Sequence, residues 1–261
     1  MNFIVVSAGS LAILVVVYGV TFLIGRRIGR YNVVDAAWGL SFVAVAVVAV
    51  LFGSGDVFRR FLLLALVAVW GVRLAWHMIG KSAGKGEDPR YGTLLKGDFS
   101  AVNVLRKIFL LQAAITWFVS LPIQLSATLG PTPTALLPVL GVGIAAWVVG
   151  VLFEAVGDHQ LREFKADPAN KGAVMDRGLW AWTRHPNYFG DAAVWWGLWL
   201  VGITGWLSLS TVLSPVAMSY FLMYATGARL TEKIMADRPG FAEYRSRTSF
   251  FMPRPPRSRR S

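Results

Sequence analysis

Apolar residues in this chain neither alternate as in a half-buried strand nor mark one face of a helix. They come in long blocks, and Leu11–Leu23, Ala36–Ser54 and Pro131–Phe153 contain no charged residue. About 20 apolar residues in helical form cross a bilayer core about 30 Å thick. On that measure the pattern predicts seven spans, roughly Phe3–Ile24, Val33–Gly53, Phe61–Ile79, Ile108–Ala127, Thr134–Val156, Tyr188–Thr204 and Trp206–Gly227. Phe3–Ile24 lacks a basic start and is too long for the apolar part of a signal peptide, so it is read as a span. The expected fold class is all-α: a polytopic membrane protein with about seven transmembrane helices, forming a single integral membrane domain over residues 1–261.

Composition agrees. The chain is 55% hydrophobic and 15% charged, whereas soluble domains are about 45–50% apolar and about 25% charged. Disordered, collagen-like and secreted disulfide-rich classes are excluded. With no cysteine, there is no thiolate nucleophile and no cysteine-based metal site.

The net charge of +12 raises the question of nucleic acid, and the position of the charges answers it. The connections after spans one, three and five, together with the C-terminal tail, hold 23 of the 26 Lys and Arg residues. The positive-inside rule then puts the N-terminus outside and the C-terminus in the cytoplasm. The basic tail, residues 254–261, is read as a juxtamembrane segment attracted to anionic headgroups. No aromatic-interleaved soluble domain accompanies the charge, so nucleic acid is not an expected partner.

The densest polar region runs from Glu154 to Asp191. Glu154, Asp158, Arg162 and Lys165 are spaced to share one helix face as span five leaves the membrane. Ion pairs on an exposed helix would explain the last three, but an ionisable residue at the depth of Glu154 is costly and marks a functional position. Next comes Gly178-Leu-Trp-Ala-Trp-Thr-Arg-His-Pro-Asn-Tyr-Phe-Gly-Asp191. It places Arg184, His185, Asn187, Tyr188 and Asp191 at the start of span six, where free N–H groups and a helix dipole suit phosphate. Arg184 adds a bidentate phosphate donor. An interfacial belt of Trp180, Trp182 and Tyr188 explains the aromatics, though not Asn187 and Asp191.

A third cluster, Gly86-Glu-Asp-Pro-Arg-Tyr91, reads alone as a polar turn. Arg229, Glu232, Lys233 and Tyr244 past span seven read as a solvated amphipathic helix. Within the spans, Asp35 is open to two readings: an ion pair with Arg73, or an acid facing a substrate. His77 reads as interfacial, and Gln112 as a bond to a neighbouring helix. His77, His159 and His185 are scattered, so no metal is expected. There is no Rossmann glycine fingerprint and no Walker loop.

Arg184-His-Pro-Asn-Tyr-Phe-Gly190, preceded by Gly178-Leu-Trp180 and followed by Trp195-Trp196-Gly197, resembles the steroid 5-alpha-reductase superfamily. Gly86–Tyr91, Val34-Asp-Ala-Ala-Trp-Gly39 and Tyr244-Arg-Ser-Arg-Thr-Ser-Phe-Phe-Met-Pro253 are similar to its bacterial branch, the domain of unknown function numbered 1295. The resemblance covers nearly the whole chain. The His-Pro-x-Tyr piece is also similar to membrane isoprenylcysteine carboxyl methyltransferases.

The resemblance implies an enzyme of the bacterial inner membrane that holds NADPH in a cytoplasm-facing cavity. It would reduce a carbon–carbon double bond, conjugated to a carbonyl, in a steroid-like, polyprenyl or fatty-acyl lipid. The cofactor motif lies in residues 134–253. Asp158, Arg162, Lys165, Asn187, Tyr188 and Asp191 would line the cofactor site together with Glu154, Arg184 and His185, and Arg229 and Tyr244 would close it. Tyr91 and Asp35 take the role of catalytic acids. Two departures stand out: Asp191 replaces the motif's usual Glu, and Glu154 stands where the steroid enzymes carry an amide. The alternatives are an S-adenosylmethionine-dependent membrane methyltransferase and a non-catalytic lipid-binding relative.

Overall fold

A computed structural model describes residues 2–256, so most of the basic tail expected over 254–261 lies outside the described residues. Helix makes up 77% of the chain, with no strand among the described residues. In chain order the elements begin with α1 (Asn2–Ile28), α2 (Val33–Phe52), α3 (Val57–Ser82), a short α4 (Pro89–Leu95) and α5 (Ala101–Val104). A π-helical stretch, Leu105–Leu110, leads into α6 (Leu111–Val119), followed by α7 (Leu121–Ser126) and the long α8 (Leu137–Ala166). Then come α9 (Leu179–Trp182), α10 (Pro186–Val201), α11 (Trp206–Leu209) and α12 (Leu213–Tyr220). A second π-helical stretch, Phe221–Ala225, precedes α13 (Ala228–Met235) and α14 (Phe241–Arg247).

Six segments are long and apolar enough to cross a membrane: Phe3–Ile28, Val33–Phe52, Val57–Ser82, Ala101–Val119, Thr134–Ala166 and Trp206–Met235. The sixth expected span, Tyr188–Thr204, is realised as the 16-residue α10. At 1.5 Å per residue, α10 reaches about 24 Å. Its start is set by Pro186, whose missing N–H is tolerated only in a first turn. The fourth span begins earlier than expected and stops at Val119, because Pro122 opens a separate helix, α7. The last span is composite: it passes through α11, a 3-10 turn, α12 and the π-helical stretch, then breaks at Thr226 and Gly227 before α13.

The described residues divide into two compact units, 2–140 with 201–214 and 141–200 with 215–256. In the first, α1, α2 and α6 are joined by a buried polar knot. The Tyr18 hydroxyl lies 3.1 Å from Ser41 Oγ and 2.8 Å from Thr116 Oγ1, which satisfies three polar groups away from water. Nearby Leu14, Val45, Val104, Ile108 and Phe109 pack with Tyr91 and Leu95 of α4. At the other end of α3, Arg59 is buried and bonds the chain between α7 and α8 through Ser126, Leu129 and Thr132.

The second unit is organised by a glycine seam. Glycines recur every seven residues at 143, 150 and 157 on α8, and at 190 and 197 on α10. A Cβ on Gly150 would stand 2.6 Å from Gly190 O, and one on Gly197 would stand 2.6 Å from Gly143 O. Only glycine allows two helix backbones this close, which is a common device where no hydrophobic force drives helices together. The Trp196 indole N–H donates to Ser219 Oγ at 3.1 Å and ties α10 to α12.

Candidate functional site

In the first unit, two separate motifs come together. The Gly86–Tyr91 loop is clamped onto the start of α2. The Glu87 carboxylate accepts from the backbone N–H groups of Tyr31, Asn32 (3.0 Å) and Asp88 (3.1 Å). Asn32 Nδ2 donates to Gly86 O at 3.1 Å, and Arg30 Nη1 donates to Ser82 O at 3.2 Å and Lys85 O at 2.5 Å. Among these, the bond to Asn32 N occupies an N–H that the start of α2 leaves open. Asp88 caps α4 by accepting from Arg90 N at 2.9 Å, and its carboxylate grips the Arg90 guanidinium at 2.8–3.1 Å.

This clamp delivers Tyr91 to Asp35. The Tyr91 hydroxyl donates to Asp35 Oδ1 at 2.6 Å, and Arg90 Nη2 lies 3.4 Å from Asp35 Oδ2. In place of the two readings of Asp35 taken from the sequence, α4 brings Tyr91 and Arg90 to the carboxylate. Burial, and then the Asp35 charge, push the Tyr91 phenol well above its ordinary value. Tyr91 therefore stays protonated and donates its hydrogen bond to Asp35.

In the second unit, the α8–α10 seam sets the polar residues. Glu154 is buried, and a Cβ on Gly190 would stand 2.7 Å from its backbone N. Asp158, one turn further along α8, accepts from Asn187 Nδ2 at 3.4 Å. The Asn187 side-chain oxygen accepts from Tyr188 N at 3.1 Å, in the first turn of α10. Asp191 follows one turn later, half-buried. Arg162 and Lys165 are exposed near the end of α8, and Arg162 Nη2 lies 3.0 Å from His159 Nδ1. Arg229 is exposed on α13, with its guanidinium 4.6 Å from the centre of the Tyr224 ring.

Arg184 and Tyr244 are held by partners on the C-terminal segment and on residues 180–185. Arg184 is buried, its Nε donates to Glu232 Oε1 at 2.6 Å, and its Nη1 donates to Arg245 O at 3.1 Å and Thr248 O at 2.5 Å. The last carbonyls of α14 have no partners within the helix, and a guanidinium fork satisfies them as well as it would a phosphate. The Tyr244 hydroxyl donates to Trp180 O at 2.7 Å. Thr183 Oγ1 donates to Phe251 O at 2.8 Å, and Arg184 N to Ser249 O at 2.9 Å. Both residues therefore latch the C-terminal segment onto residues 180–185. His185 Nε2 lies 3.2 Å from the same Glu232 oxygen, and its ring stacks on Tyr188 at 5.7 Å. Burial pushes the His185 imidazole below its ordinary value, against the pull of Glu232. An uncharged ring bonded this way carries its proton on Nε2.

Glu232 and the Arg90–Asp88 fork were not singled out by sequence reasoning. Glu232 read as one acid on a solvated amphipathic helix, with Arg229 three residues before it as a local partner, and nothing in the sequence points from it to Arg184. An open cleft of about 500 Å³ lies in this unit, lined by Lys171, Asp176, Glu243, Tyr244 and Arg247 among others. Arg247 is ion-paired there with Asp176.

Among the described residues, six long apolar helices and the all-helical architecture support an integral membrane protein. The chain belongs to the family described as protein of unknown function (DUF1295), whose profile matches residues 21–248. No curated protein and no solved structure matches it.

Proposed function

We propose that this protein is an NADPH-dependent reductase of the steroid 5-alpha-reductase superfamily, acting on a carbon–carbon double bond conjugated to a carbonyl in a lipid. The observation that carries this reading is the Tyr91–Asp35 pair at 2.6 Å. Reducing such a bond develops negative charge on the carbonyl oxygen and consumes a proton, so it needs a protonated donor in a dry site. Methyl transfer to a carboxylate needs no such donor. Tyr91 has a single hydroxyl proton, which Asp35 holds in the free protein; in this role it turns from Asp35 to that oxygen and passes to the enolate, while Arg90 steadies the Asp35 carboxylate.

The second unit carries a donor set suited to a dinucleotide. Arg162 and Lys165 offer exposed cations for phosphate. Asp158 and Asn187 present a carboxylate and an amide for ribose and carboxamide groups, and Glu154, His185, Tyr188, Asp191 and Arg229 are the further residues of this reading. Arg184 and Tyr244 act by fixing the C-terminal segment. When bound, NADPH supplies the hydride. The distribution of Lys and Arg supports a cytoplasmic C-terminus, and the resemblance to a bacterial family branch supports a bacterial inner membrane.

The test is thermal unfolding of the full-length protein in detergent with NADPH, NADH or S-adenosylmethionine at matched concentrations. A ligand at 100 times its Kd stabilises by about 2.7 kcal/mol, and the expected result is a raised midpoint with NADPH. A shift with S-adenosylmethionine alone overturns the reading in favour of methyl transfer, and no shift with any of the three removes the cofactor. Tyr91→Phe is expected to leave that NADPH shift intact and to lower turnover of an enone lipid by about 100- to 10,000-fold. Unchanged turnover would take the acid role from Tyr91.

A further inference from the structure

The elbow that follows α4 is built at a conformational cost. Lys96, the C-cap of α4, has φ +55° and ψ +36°, and it is the one non-glycine residue with positive φ among the described residues. Left-handed backbone favours glycine, and the chain does use glycine at the next position, Gly97 (φ +77°). A lysine in that conformation points to a use for its side chain. The rest of the elbow is tied down. Asn103 Nδ2 donates to Leu95 O at 3.3 Å and Asp98 O at 2.7 Å, and Lys107 Nζ to Leu94 O at 3.4 Å. Asp98 accepts from Ser100 N at 2.9 Å.

Its outer face mixes cations with bare apolar side chains. Lys96 and Arg106 are exposed, with no ion pair among the described residues. Beside them Val102 is 77% exposed, Phe99 47% and Leu94 44%. Water does not favour such a surface. The boundary of a membrane does, because apolar groups enter the acyl region while cations meet phosphate. Negative headgroups complement the charge.

We propose that the elbow from Leu94 to Lys107 is a docking surface for the headgroups of anionic phospholipids. Phe99 and Val102 insert and Lys96 and Arg106 hold phosphate. Because α4 carries Tyr91 on its inner side, headgroup binding also holds α4 in place over Asp35. This inference stands whether or not the protein is a reductase.

The test is hydrogen exchange of the full-length protein in nanodiscs of phosphatidylcholine, with or without one-third phosphatidylglycerol. Anionic lipid is expected to slow exchange in peptides covering residues 88–107 several-fold, and 0.5 M NaCl to weaken that slowing. Lys96→Gly with Arg106→Gln is expected to abolish it, while the thermal midpoint in pure phosphatidylcholine stays the same or rises, because glycine relieves the backbone. Equal exchange in both lipids overturns the proposal, as does a variant that keeps the slowing. Inorganic phosphate reproducing the effect in phosphatidylcholine would make the occupant a free anion and overturn it too. The salt titration uses the unaltered protein, so the proposal remains open to refutation if the variant does not fold.

Discussion

Replacing Arg59 by alanine is expected to lower the thermal unfolding midpoint by about 10 °C. Arg59 is 1% exposed, and its guanidinium bonds neutral oxygens at the end of α7 and on the connection to α8, with the Asp56 carboxylate as the nearest opposite charge. Nε donates to Ser126 Oγ at 2.7 Å, Nη1 to Thr132 Oγ1 at 3.2 Å, and Nη2 to Ser126 O at 3.0 Å and Leu129 O at 2.7 Å. Hydrogen bonds from a charged donor contribute about 1.5–3 kcal/mol each, with incomplete additivity. Losing the set, together with the packed side-chain stem, costs on the order of 3–5 kcal/mol. Arg59→Lys is expected to recover less than half of this, because one ammonium cannot reproduce a planar fork that spans four acceptors. Tryptophan fluorescence during heating in detergent measures both variants. A fall below about 2 °C for alanine would show that the connection holds its shape without Arg59.

The second large effect belongs to Glu232. Its side chain is 13% exposed and that of Arg184 8%, so removing the carboxylate leaves a guanidinium buried without its counter-charge. Breaking a buried pair in this way costs about 3–5 kcal/mol. Glu232→Ala is expected to lower the midpoint accordingly and to open the latch, so that trypsin cleaves after Arg245 and Arg247 much faster than in the parent. Arg184→Met combined with Glu232→Met is expected to be more stable than Glu232→Ala alone, since it buries no unpaired charge. Strictly additive losses would mean that the two side chains do not act as a pair.

The long helices were legible because lipid forces every backbone polar group into a helix, and hydropathy registers that demand directly. Breaks inside an apolar run were not. The 3-10 and π-helical turns inside the last span leave no mark on polarity, whereas its predicted end at Gly227 falls where the helix breaks. Pro122 carried a usable signal, as the start of a new helix rather than the middle of one. At the site, residue types were readable and partners were not. Tyr91 and Asp35 lie 56 positions apart, and only the Glu87 clamp, a set of backbone contacts, brings them together. The partners of Arg184 were not readable for a chemical reason. A guanidinium fits phosphate, carboxylate and helix-end carbonyls alike, and no periodicity announces that residues 245–251 return to residues 183–185.

The glycine seam between α8 and α10 also fixes depth. Because both helices repeat their glycines every seven residues, the next register that would let the backbones meet again lies about 10 Å away. A slip of one turn would drive a side chain into a carbonyl, so the seam works as a detent with a single position. A bilayer that thins or thickens around this pair can tilt it, but cannot slide one helix past the other. Asp158 and Asn187, anchored just beyond the last glycine of that seam, therefore stay level with each other in membranes of different thickness.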